Sequence, residues 1–465
     1  MLHRQPPRAG TSHTIALTIA LTLGATVSFV RGVDAQQPPS PAPATKASAE
    51  PPPDESLLGE VPVNGSAGTI PLPKLVVVPT VATGDADGTV QSVVRRDLDL
   101  CGQYEVLPMD VVPDGSGDFT HDTVIDQKAW RAKGAELLVR VFANVSGADV
   151  ELTAEAYLLG KAPKAAFTKV MKAPASDVRM ASHRLTDSIL GALTGRPGPF
   201  ASHLAYTARA GKTKGGLVGR EVFLVEADGA NGKRYSPEGD TALSPTMGPG
   251  GEWYWASSHD YSPFHVVHGP LALPFPLSTP GSVLGLDFSP DRKRFAAAVM
   301  DQTLEDIYVG AADGTDLRPL IAPPLASHPT FGPMGRVAYV AGASFPRVYV
   351  DKKPISPAGF HASAPTFCDT PKGLLVIFNV GVGANADLVA TDVDGGGLMR
   401  LTQGQGANST PACSPDGRLV AFFSTRKSGD GAGLYIMPIN APWRSKRIAK
   451  EIGESLAWEM DATAP

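Results

Sequence analysis

The densest cluster of histidines, side chains able to bind a metal or carry a proton, is His259, His265 and His268. Three imidazoles that close in sequence need a helix or tight loop to converge, and residues three apart on a strand face opposite ways. The group therefore reads as a surface strand or loop. His183 lies beside the apolar stripe of an amphipathic segment, the place of a packed or capping histidine rather than a catalytic one. Asp85-Ala86-Asp87-Gly88 and Asp392-Val393-Asp394-Gly395 have the start of a calcium loop but lack its third acidic position and distal Glu, so turns are expected at both. No Gly-x-Ser-x-Gly elbow is present, and no segment with a hydrolase's Ser, Asp and His spacing follows. These residues predict no catalytic group, no cofactor site and no metal centre.

The elements that carry these residues show a repeat. Asp-Gly turns at Asp228-Gly229, Asp313-Gly314 and Asp394-Gly395 each precede a short anchor of the type Pro-x-aromatic-Ser-Pro-Asp-Gly, centred on Met247, Phe331 and Cys413. Related anchors centre on Phe288, Phe367 and Trp458, giving a period of roughly 42 residues, the size of one four-stranded blade. A blade cannot bury both its faces alone, so the expectation is a closed all-β six-bladed β-propeller over residues 203–465. The last unit supplies only one strand, around Trp458. Leu204–Tyr206 and Glu221–Glu226 are the candidates to complete it from the other end.

Gly (49) and Pro (43) are abundant and charged residues make up only 19%, a turn-rich globular composition. The net charge of -5, with no run of Lys or Arg, argues against nucleic acid or an anionic membrane as partner. Arg4 and Arg8, the apolar run from Thr14 to Val30 and the small residue Ala35 read as a cleaved export signal over 1–35, an uncleaved anchor being the alternative. No other stretch could span a bilayer, so the mature form is expected to have no transmembrane domain. Cys101, Cys368 and Cys413 are few for an exported chain. Strand alternation sends Cys368 and Cys413 to opposite faces, so buried free thiols are expected rather than a bond between them.

Residues 36–56 form a Pro- and Ala-rich tether. Leu57 to Val63 alternate apolar and polar character, as an edge strand or a continuing linker would. Residues 57–202 read as a small N-terminal α/β domain: a buried strand at Leu75–Val78, a helix from Thr89 to Cys101, a hairpin around Ser146-Gly147, and a helix from an N-cap at Ser176 to Thr194. The helices are expected on one face of the strands.

Within this domain Ala181-Ser182-His183-Arg184-Leu185-Thr186-Asp187-Ser188-Ile189, Leu193-Thr194-Gly195 and Leu204-Ala205-Tyr206 resemble the helix and interdomain crossing of the TolB family. Lys74–Pro79, Asp97–Tyr104 and the blade anchors extend the resemblance over most of 57–465, although the family's anchor Trp is Phe, Met or Cys in five of six units. The resemblance implies a non-enzymatic scaffold of the Tol-Pal system in the periplasm of a Gram-negative bacterium, serving envelope integrity and constriction during division. It implies a TolA-like inner-membrane partner captured by the N-terminal segment, here Leu57, Leu58, Val61 and Val63. It also implies a Pal-like lipoprotein at one propeller mouth, at Ser282, Gly285, Ser327, His328, Asn408 and Ser409. An exported propeller hydrolase or a carbohydrate-binding propeller is the alternative function.

Overall fold

The computed structural model describes residues 55–60, 71–212, 218–259, 262–301, 304–320, 323–381 and 386–460. The expected signal and most of the tether, Val61 and Val63 lie outside the described residues.

The α/β domain is built on a five-stranded sheet: β1 (Lys74–Val77), β2 (Glu105–Val106), β3 (Leu137–Ser146), β4 (Asp149–Leu158) and β5 (Phe167–Pro174), in the order β2-β1-β3-β4-β5. β1 runs parallel to β2 and β3, whereas β3, β4 and β5 are antiparallel. Helix α1 (Asp85–Leu100) and helix α3 (Val178–Thr194) cover one face, where Val90, Val94, Leu98, Leu185 and Ile189 pack on Leu75, Val77 and Leu152. The other face is not bare, contrary to the sequence reading. Helix α2 (Gln127–Ala132) places Trp130 against Val76, Val78 and Leu138. This explains why β1 is a continuous apolar run: both of its faces are buried. α2 is only six residues long, too short to leave a periodic stripe.

Two helix starts also differ from expectation. Asp85–Gly88 is the first turn of α1 rather than a loop, because acidic groups there favour the helix dipole and Asp87 finds partners in the backbone N–H of Thr83 and Ala143. Ser176 falls in a 3-10 turn, and Asp177 occupies the N-cap of α3, paired with Arg184. At the other end Gly195, at φ 81°, closes α3 by donating its N–H to Gly191 O.

Beyond Phe200 the chain is almost all strand. Four separate four-stranded antiparallel sheets begin with Ser282–Phe288, Ser327–Phe331, Ala362–Thr370 and Asn408–Cys413. An eight-stranded sheet joins two further groups through one parallel pair, Arg220 with Thr241. One group begins with Thr241–Met247. The other combines β6 (Ser202–Lys212) and β7 (Val218–Glu226) with the C-terminal strand Glu454–Met460. Trp458 pairs with Leu204 and donates its indole N–H to Ser202 Oγ at 2.8 Å. The six first strands adjoin one another in chain order, and the last adjoins the first. The anchor residues Met247, Phe288, Phe331, Phe367 and Trp458 are buried between successive sheets. That packing needs glycine opposite: a Cβ on Gly332 would stand 2.7 Å from the Phe367 ring.

Cys368 and Cys413 form a disulfide with their Cα atoms 5.4 Å apart, so free thiols there are ruled out. The two cysteines do point to opposite faces of their strands. Successive sheets meet opposite face to opposite face, and that alternation is what brings the sulfurs together. Cys101 is free and buried.

Candidate partner-binding sites

Each of the six first strands is interrupted by a β-bulge near its start. In five of them the bulge holds a non-glycine residue in the left-handed region, at φ between 48° and 53°: Ser244, His328, Ala364, Thr410 and Ser455. The first four are each followed by Pro, which fixes the chain direction after the bulge. Such conformations are costly for side chains with a Cβ and are held only by surrounding structure. Together the bulges line a central cavity of about 280 Å³.

The cavity wall is tied by polar bridges between sheets. Asp287 accepts from Thr246 Oγ1 at 2.8 Å, from Thr330 Oγ1 at 3.1 Å and from the backbone N–H of Phe331 at 2.7 Å. Enclosure raises its carboxyl above the usual range, opposed by these hydrogen bonds. Arg292 donates to Met247 O and to Glu459 Oε2, the latter at 2.7 Å. The carboxylates and guanidinium of the cavity therefore serve as cross-links.

Of the residues expected at this mouth, Gly285 and His328 line the cavity; Ser282, Ser327 and Ser409 lie on the same strands outside it. His328 Nδ1 is 3.0 Å from Ser327 Oγ. Asn408 is fully buried, accepting from Ser424 Oγ and donating to Asp387, so its side chain braces the strand. The sequence reading missed Ser244, Ala364, Thr410 and Ser455. The residue before each anchor Pro was the available signal, since it marks the bulge in four strands.

The N-terminal segment forms a single 3-10 turn, Glu55–Leu58, rather than the start of a strand. Leu58 is buried among Ile355, Phe360 and Val389, whereas Leu57 is exposed. Glu55 pairs with Arg400 at 3.3 Å, and Arg400 in turn with Asp387 at 2.6 Å. Among the described residues no paired strand holds its backbone, and the buried Leu58 and the Glu55–Arg400 ion pair are among its contacts.

A buried ionic network joins the two domains. His183 on α3 places Nδ1 2.8 Å from Asp97 of α1 and Nε2 3.4 Å from Glu226 of β7. Arg179 donates to Glu226 and Asp228, and Asn231 donates to Glu226 at 2.7 Å. Asp97, His183 and Asp228 lie close enough to hold a cation, but the Arg179 guanidinium already pairs with Asp228, and Asp97 with His183. Nearby, Asp187 accepts from the backbone N–H of Phe200 and Ala201, fixing the crossing between domains. His259, His265 and His268 do not converge: His268 pairs with Glu252, His265 is exposed, and His259 lies 3.8 Å from Asp240.

A small α/β domain locked onto a propeller-like array of antiparallel sheets is thus the class of protein that the chain belongs to. Residues 64–161 match the TolB amino-terminal domain family. The Tol-Pal system protein TolB of Anaeromyxobacter dehalogenans is 28% identical over 273 residues, covering 56% of this chain and 60% of that protein. That of Geobacter sulfurreducens is 29% identical over 166 residues, 35% of each chain. The crystal structure of TolB from Acinetobacter baumannii superposes with a TM-score of 0.65 at 20% identity, covering 83% of this chain and 96% of that one. The chain is TolB-like in sequence and in fold, and it spans about 60% of the length of the first of these relatives.

Proposed function

We propose that this chain is a non-enzymatic periplasmic component of a Tol-Pal system, exported by its apolar N-terminal run. In this reading residues 203–465 close as a six-bladed ring and residues 57–202 form the second domain. The cyclic adjacency of the six first strands supports the ring. The Cys368–Cys413 disulfide suits an oxidising compartment. Among the described residues no helix is long and apolar enough to cross a membrane. A hydrolase is disfavoured because the cavity's Asp287, Arg292 and Glu459 are spent on inter-strand bridges.

The observation that carries this reading is the set of bulged first strands, whose bulges together line one central cavity. A Pal-like lipoprotein docks there, over Ser282, Gly285, Ser327, His328 and Ser409, with Asn408 bracing from behind. Replacing Ser282, Ser327 and His328 together with bulky or charged residues weakens Pal binding while leaving the melting temperature unchanged. Titration calorimetry with a Pal homologue checks this, and unchanged affinity rejects the mouth assignment. The turn at Glu55–Leu58 is the docked state of the TolA-capturing segment, whose further contacts are Val61 and Val63. Withdrawal of Leu58 and breakage of the Glu55–Arg400 pair would free it for strand addition. A chain beginning at Ile70 keeps the fold and loses TolA binding.

A further inference from the structure

Between the α/β domain and the sheets that follow lies an open cleft of about 910 Å³, larger than the central cavity. Its lining is apolar at Leu72, Leu158 and the half-buried Trp443. Arg131 and Lys161 stand on the α/β side, Lys372 and Arg444 on the other. Among the described residues none of these four cations has a side-chain hydrogen bond or ion pair. Glu136 is the one carboxylate in the lining, and it accepts from the backbone N–H of Lys74. The cleft is therefore locally cationic on a chain whose net charge is -5. Its four cations come from distant points of the sequence, which is why no basic cluster is visible there.

We propose that this cleft docks an extended acidic peptide segment of a partner protein. Carboxylates of such a segment reach the cations on the two walls, and an apolar side chain between them covers Trp443. A compact anion such as phosphate fits less well. The cations are exposed and stand on opposite walls, so a small ion would meet them one wall at a time and leave the apolar floor wet. A peptide that spans the walls uses both features, with Trp443 as the anchor and the charges steering approach. Because the walls belong to different domains, the bound segment would also clamp the domains together.

The test is titration of the full-length chain with a capped peptide of alternating Glu and Leu, followed by calorimetry and tryptophan fluorescence. A peptide of alternating Lys and Leu and inorganic phosphate serve as comparisons. The acidic peptide should bind, perturb the fluorescence through Trp443 and weaken as salt rises. Arg131→Glu combined with Lys372→Glu should reduce its affinity about tenfold or more with no change in melting temperature, since both side chains are exposed. Trp443→Phe should remove the fluorescence change while retaining heat of binding. The proposal is overturned if the acidic peptide does not bind, if the basic peptide binds as tightly, if the double variant binds like wild type, or if phosphate alone gives the same Trp443 response.

Discussion

At the scale of single residues, the interdomain network shows how burial changes what a histidine does. His183 is fully buried and faces Asp97, Glu226 and Asp228, with Arg179 on the far side of those carboxylates and Asp187 one turn along α3. Burial opposes its charge, but the adjacent carboxylates prevail and lift its pKa from 6.5 to about 10. A raised folded-state value means that this stabilisation is complete below pH 6.5 and is lost as pH rises through 10. Glu226 has the opposite sign: held down to about 2, it stabilises above its ordinary 4.5 and fails as pH falls toward 2. Asp187, raised by burial from 3.8 to about 7, also favours the fold less as pH rises across that window. Melting temperatures measured at constant ionic strength should therefore decline from pH 6.5 to 10, and His183→Gln should flatten that limb. His183→Ala should cost about 3–5 kcal/mol in denaturant unfolding at neutral pH, because it strands buried carboxylates. Sequence alone placed His183 in a packed position. It could not supply Glu226 or Asp228, which arrive from a strand and a turn in another domain.

At the scale of elements, the contacts between neighbouring sheets decide stability. The Cys368–Cys413 bond closes a loop with a sequence separation of 45 between adjacent first strands. Replacing both cysteines with Ala should lower unfolding free energy by about 2–4 kcal/mol, and reductant should do the same to the wild type but not to the variant. Gly332→Ala should also destabilise, since the Phe367 ring or the strand must shift to admit a methyl group. Its partial rescue by Phe367→Leu, read as melting temperature, would tie the cost to that contact. The repeating anchors were legible because five of the six first strands carry a large buried side chain at or near their end. The disulfide was misread because alternation was applied within one strand, whereas the pairing depends on two strands in different sheets. α2 and the positive-φ bulges were illegible for a related reason: tertiary packing, not local propensity, holds them.

For the whole molecule, the ends of the sheet array meet in one group of strands. Glu454–Met460 pairs with β6, and Trp458 is buried beside Ser202. Deleting residues 454–465 exposes the edge of β6 and removes that indole, so the C-terminal domain should melt in a broad, low-temperature transition rather than simply losing one strand. Calorimetry that finds a single sharp transition near that of the full chain would contradict a ring closed in this way. The pairing of Glu454–Met460 with β6 was readable from the sequence as a final unit with only one strand and two orphan strands upstream. What the sequence did not contain was the cleft between the domains, whose walls exist only once both have folded.

Closure by the last strand also bears on timing. β6 and β7 are synthesised more than two hundred residues before Glu454–Met460, the strand that covers β6. The core beneath α1 and α3 likewise includes Phe423, Ile436 and Ile448 from late in the chain. A nascent chain therefore lacks the parts needed for its final packing until Glu454–Met460 has been made, and up to that point it remains open to threading or capture.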